Sequence, residues 1–144
     1  MKARALALLA FLSVSACRQP MAVDTSGAKF IPAAVAIDNL KELLPTALVV
    51  GCTVPKGIFQ QDEVKSWKVD AEAVEFQVEK QPVFRMVFSE ITKSTAERLF
   101  GGYQVRLFSP AQPDARKEHF FFNFRDEAPA RRAVELIDAL RVKR

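Results

Sequence analysis

Four phenylalanines fall within five residues, Phe120, Phe121, Phe122 and Phe124, and an apolar stripe at helical spacing follows at once. No other stretch limits the fold as much. A run so rich in aromatics reads as a strand. Its even-numbered members, Phe120, Phe122 and Phe124, share one face, while Phe121 shares the other with His119 and Asn123. Asp126 or Glu127 starts the next element, with Pro129 in the first turn, where a missing amide hydrogen costs nothing. Ala130, Ala133, Val134, Ile137 and Leu140 then recur on one side of a helix over 127–142, with Arg131, Arg132, Glu135 and Asp138 turned out. A strand needs neighbours and an apolar helix stripe needs cover. The expected core is a small antiparallel sheet closed by a C-terminal helix, an α+β arrangement.

The preceding residues supply the neighbours. Trp67 and Val69, then Val74, Phe76 and Val78, alternate with charged and polar residues and predict strands over 67–70 and 73–79. Lys80-Gln81-Pro82 is a turn, and further strands are expected over 83–91, 94–100, 103–108 and 117–125. Gly101-Gly102 reads as a hairpin turn, because glycine accepts positive φ at either turn position, and 109–116 reads as a loop. Trp67, the single tryptophan, is expected as a core anchor rather than a ligand platform. Before the strands, Ala33 to Leu44 carries Ala33, Val35 or Ala36, Ile37, Leu40 and Leu44 on one face, an amphipathic helix begun after Pro32 and stopped by Pro45. Ala47–Val50 is a candidate short strand ended by Gly51, with Pro55 and Gly57 in a loop; 62–67 is left unassigned.

Phe88-Ser89-Glu90-Ile91 before a turn, the later Phe120-Phe121-Phe122-Asn123-Phe124 and the closing helix from Asp126 to Leu140 together resemble the pleckstrin-homology-like superfold, in particular its bacterial and GRAM-like members. That resemblance implies a strongly bent antiparallel sheet or partly open barrel with the C-terminal helix plugging one end. The superfold uses seven strands where about five are visible from Trp67 onward; a generic helix-capped sheet is the other reading.

The first residues give a cellular address. Lys2 and Arg4 precede an apolar run from Ala5 to Leu12 that is too short to span a bilayer, and small residues follow, as in an export signal. Val14-Ser15-Ala16-Cys17 resembles the lipobox of bacterial lipoprotein precursors. The resemblance implies cleavage before Cys17, thioether lipidation of that cysteine and acylation of its new amino group. Arg18, where an Asp would retain the protein at the inner membrane, implies an outer-membrane lipoprotein facing the periplasm. The alternatives are soluble export after cleavage behind Ala16, or an uncleaved start. Domain boundaries follow: a signal peptide over 1–16, the lipidated cysteine and a flexible tether over 17–31, and one globular domain over 32–144.

With 49% apolar and 26% charged residues, a chain of 144 residues fits one ordinary core and is not a disordered polymer. The formal charge of +4 includes Lys2 and Arg4; from Cys17 on the balance is only +2, too small for a nucleic-acid footprint. Cys17 and Cys52 are the two cysteines. If Cys17 carries lipid, Cys52 is left as a thiol expected to be buried; if not, a Cys17–Cys52 disulfide is open. Neither has a CxxC partner.

No constellation points to catalysis. His119 is the only histidine, so a histidine-rich metal cluster cannot form, and Ser89, Ser94 and Thr95 lack a GxSxG or SxxK context. Glu75 and Glu79 lie on a wet strand face, and Glu127 at a helix start has an ordinary electrostatic reason. No cofactor or metal is implied. The expected function is therefore a lipid-anchored, non-catalytic binding or assembly domain with an envelope protein as partner and the membrane reached through Cys17. Its partner surface is expected from Arg131, Arg132, Tyr103 and His119. A soluble or anchored binder of a lipid or small apolar ligand in the phenylalanine-rich interior is the first alternative, and an envelope enzyme the second.

Overall fold

The computed structural model describes residues 18–54, 57–61, 64–79, 83–109 and 118–142. The expected signal peptide, Cys17, the Lys80-Gln81-Pro82 turn, the 109–116 loop beyond Ser109, and Lys143 and Arg144 lie outside them.

Among the described residues, nine strands form two antiparallel sheets. The larger has the order β1-β7-β8-β9-β2-β3, built from Gln19–Met21, Lys93–Leu99, Gly102–Phe108, Glu118–Phe124, Val49–Val54 and Gly57–Gln61. The smaller has the order β4-β5-β6, Ser66–Val69, Ala73–Gln77 and Phe84–Val87. Helices α1 (Ala33–Leu43) and α2 (Glu127–Val142) complete the set, with single 3-10 turns at Ala28–Phe30, Leu44–Thr46 and Phe88–Glu90.

Two sheets replace the single bent sheet or partly open barrel that the superfold resemblance implied. The chain leaves β6 through the 3-10 turn at Phe88–Glu90 before entering β7, and no hydrogen-bonded ladder joins β6 to β7. Strands β2 and β3 extend the large sheet beyond β9, and β1 extends it beyond β7, so β1 and β3 stand at its two ends instead of meeting. Helix α2 lies against β7, β8 and β9, along a face rather than in the mouth of a barrel.

Alternation decides that face. Ala96, Val105, Phe122 and Val50 are successive cross-strand partners, as are Leu107, Phe120 and Cys52, and all seven are at most 2% exposed. Above them sit α2 and the small sheet. The rings of Phe76 and Phe120 meet edge to face at 5.5 Å, Trp67 lies 5.9 Å from Phe122 and 5.6 Å from Phe76, and Phe84 stacks on Phe76 at 5.2 Å. Such aromatic contacts join the two sheets, each fully buried ring contributing on the order of 1.5–3 kcal/mol by removal from water.

Helix α1 shows which side its neighbours occupy. Ala36, Leu40 and the following Leu44 are buried, whereas Val35 is exposed, which resolves the Val35-or-Ala36 choice. Pro45 lies in the 3-10 turn that follows the helix, and the Thr46 hydroxyl donates to the Leu43 carbonyl at 2.6 Å, satisfying an acceptor the helix end leaves open. On α2, Leu136 and Ala139 are as buried as the expected stripe, because the helix is covered by α1 as well as by the sheet. Asp138 does not face out as expected. It is 8% exposed, accepts from the Ser94 hydroxyl at 3.1 Å, and pairs with Arg141, whose Nη1 donates to the Thr92 carbonyl at 2.9 Å. This clasp fixes the end of α2 to the start of β7.

Residues 18–29, expected as a tether, contain structure. Gln19, Pro20 and Met21 pair with Arg98, Glu97 and Ala96, and Ala28 is buried in the 3-10 turn against α2. Edge position is what makes Pro20 tolerable in a strand.

Candidate functional site

Helices α1 and α2 pack on one another and leave a cleft along their seam. Here it is a groove of about 260 Å³, lined by Asn39, Glu42 and Leu43 of α1, Thr46 of the turn after it, and Arg132 and Leu136 of α2. Spacing explains the lining: Asn39, Glu42 and Leu43 are three and four residues apart, as are Arg132 and Leu136, so each set shares a helix face. Leu43 and the fully buried Leu136 supply its apolar lining, and Asn39, Glu42, Thr46 and Arg132 its polar lining. Arg132 is half-exposed and donates from Nη1 to Glu135 Oε2 at 2.7 Å. A surface pair of this kind is weakly held, so the guanidinium can exchange it for another acceptor.

The residues expected as a partner surface have separate local settings. Arg131 donates to Glu127 at 2.6 Å and to the Ala22 carbonyl at 2.5 Å, which secures the segment after β1 to α2. Arg132 belongs to the groove. Tyr103 pairs with Phe124 across β8 and β9 and packs partly buried against the core. His119 lies in β9, where only its backbone is described.

Cys52 is a free thiol, 2% exposed, and sits opposite Phe120 on the inner face. Burial disfavours the thiolate and pushes the thiol up to about 11. Cys17, the other cysteine, is outside the described residues.

The outer face of the large sheet carries a different set. Arg106 Nη1 lies 2.9 Å from Glu97 Oε1, Arg18 Nε lies 3.2 Å from Glu97 Oε2, and Gln104 Nε2 donates to Asn123 Oδ1 at 2.9 Å. Lys93 and Arg106 each place a cation over the ring of Phe108, at 5.8 and 5.2 Å. Phe121, also on this face, lies across Gly51: a Cβ built there would come 2.0 Å from Phe121 Cζ. Sequence reading took Gly51 as a strand end. It is instead a strand interior that must lack a side chain.

Among the described residues, no three His, Cys, Asp or Glu side chains come close enough together to hold a metal ion, and no helix is long and apolar enough to cross a membrane. No family model, curated protein or solved structure matches the chain.

Proposed function

We propose that this chain is an exported binding domain of a bacterial envelope, anchored through lipid on Cys17, that takes one end of a small amphiphilic ligand into the α1–α2 groove. The observation that carries the ligand reading is the groove itself, two leucines flanked by Asn39, Glu42, Thr46 and Arg132. An apolar floor with a few converging polar groups is the usual make-up of small-molecule sites. At about 260 Å³ the groove falls just below the roughly 300–1,000 Å³ of drug-sized sites, which suits a small ligand or the end of a longer one. The ligand sits here and not among the phenylalanines, whose rings pack on one another at 5.2–5.9 Å. Export and anchoring are supported by the charged and apolar leader and by Val14-Ser15-Ala16-Cys17.

Titration with octanoate, followed by backbone amide resonances, tests the groove. Shifts are expected to concentrate at Asn39, Leu43, Arg132 and Leu136 and to disappear in Arg132→Glu. Shifts scattered over the surface, or unchanged in that variant, would remove the ligand reading.

Assembly with an envelope protein is the second reading, favoured by Phe30 at 76% and Val35 at 45% exposure, close in sequence on either side of the start of α1. Crosslinking in cells followed by pull-down is expected to return the same partner repeatedly. Its failure to do so would end this second reading.

A further inference from the structure

Antiparallel pairing of β1 with β7 fixes where the chain enters the domain. Gln19 stands opposite Arg98, and the side chain of Arg18 reaches Glu97 at 3.2 Å, so entry is at the C-terminal end of β7. There β7 turns into β8 through Phe100 and Gly101, with Leu99 paired to Gly102. Gly101 has a φ of +89°, a conformation side chains resist, and a Cβ on Gly102 would lie 2.5 Å from the Phe124 carbonyl oxygen. Both glycines are therefore required by the turn. Phe100 has no such duty to the fold and is 93% exposed at its apex.

The same end of the sheet gathers further side chains. Leu48, 45% exposed, precedes β2 and donates its amide to the Asn123 carbonyl at 2.7 Å, next to the end of β9. Arg98 and Arg125 are exposed, and Arg18 is about half so. Of the acids nearby, Glu97 is engaged by Arg106 and Arg18, and Glu127 by Arg131, which leaves Asp126. Two apolar side chains and three guanidinium groups are thus spread along this one end of the sheet, from Arg18 at the β1 edge to Leu48 before β2. One peptide step spans 3.8 Å between Cα atoms, so Cys17 cannot stand far from Arg18.

We propose that this end of the large sheet is a membrane-facing pole, with Phe100 seated at the acyl boundary of a phospholipid surface and Arg18, Arg98 and Arg125 against lipid phosphates. The proposal rests on the reading of Cys17 as the lipid-bearing residue and adds an orientation to it. A lipid on Cys17 with a strand already begun at Gln19 leaves no length of free chain to hold the domain away from the bilayer. Contact is forced, and the surface that meets the lipid is the one that carries an aromatic tip and cations, the pairing that bilayer interfaces attract.

The test uses the mature chain in phosphatidylethanolamine and phosphatidylglycerol vesicles with brominated acyl chains, as the parent and as Phe100→Trp. The variant keeps an aromatic ring at the tip; in the parent, Trp67, packed between Phe76 and Phe122, is the internal reference. Bromine is expected to quench most of the emission that Phe100→Trp adds and to leave the parent nearly unchanged. Intact mass of the same preparation separates the two claims. Lipid on Cys17 with an unquenched tip overturns the pole and leaves the anchor; no lipid and an unquenched tip overturns both; no lipid with a quenched tip supports the pole and removes the anchor. A second measurement, on the Cys17→Ser chain with anionic vesicles, is expected to show about tenfold weaker partition on Phe100→Ser, in line with loss of one buried aromatic ring. Equal partition of the two would also overturn the proposal.

Discussion

The two faces of β9 are made by residues that alternate along one short strand, yet they are built on different principles. On the inner face Phe120, Phe122 and Phe124 lie in the core with Val105, Leu107, Trp67 and Phe76. On the outer face Phe121 is just as buried, at 4% exposed, but it lies over a glycine and shares its face with Asn123, Gln104, Arg106 and Glu97. Burial by itself therefore does not tell the faces apart. The inner ring is held by packing on two sides and the outer ring by the absence of one side chain beneath it.

Substitutions on both faces, and one change of pH, press on that difference. The largest effect is expected for Phe122→Ala, which would leave a cavity where both sheets and β8 converge; about 3–5 kcal/mol of stability should be lost, read by urea unfolding. Phe121→Ala should cost clearly less, and equal losses would mean that the outer face is packed as the inner one is. Next comes Gly51→Ala, whose Cβ must displace the Phe121 ring, at roughly 1–3 kcal/mol. In a Phe121→Ala background most of that cost should vanish, and a purely additive double mutant would show that the ring and the glycine are not coupled. The smallest effect belongs to the inner-face thiol. Because burial raises Cys52 from 9.0 to about 11, the unfolded chain loses this proton first as pH rises. Its contribution to stability is complete below pH 9 and should fall away between about 9 and 11, a slope that Cys52→Ala should lack. At neutral pH the native thiol should react slowly with an aqueous thiol reagent, and rapid labelling of the folded protein would contradict its placement.

Much of this was readable from local pattern. The alternation of Phe120, Phe122 and Phe124 and the stripe of α2 are strong because each element buries one face against a continuous surface. Where two surfaces are buried the pattern blurs. Leu136 and Ala139 are buried on a helix that meets α1 and two 3-10 turns as well as the sheet, contacts no periodicity announces, and Asp138 is drawn inward by Ser94 and Arg141, which are distant and near in sequence respectively. Phe88 to Ile91 reads as more strand because both ends are apolar, yet the residues form a 3-10 turn in which the Ile91 amide donates to the Phe88 carbonyl. Sheet order was the least legible part. The partner of β1 lies at least 75 residues further on, one of the two partners of β2 lies about 70 residues further on, and Gln19–Met21 has no hydrophobic run to mark it as a strand. The groove was hidden for the same reason, since Asn39 and Arg132 are unremarkable polar residues until α1 and α2 are set side by side.

The long-range pairing of β1 and β2 also bears on the order in which the protein can form. Val49 and Val50 bond to Asn123 and Phe122, and Gln19 to Arg98, so the large sheet has no lasting neighbour for its first strand until the C-terminal half of the chain has arrived. Contacts of such separation close slowly, because loop-closure entropy must be met before they reward it. A chain emerging N-terminus first would therefore keep its leading strand unpaired until Arg98, about two thirds of the way along, had arrived.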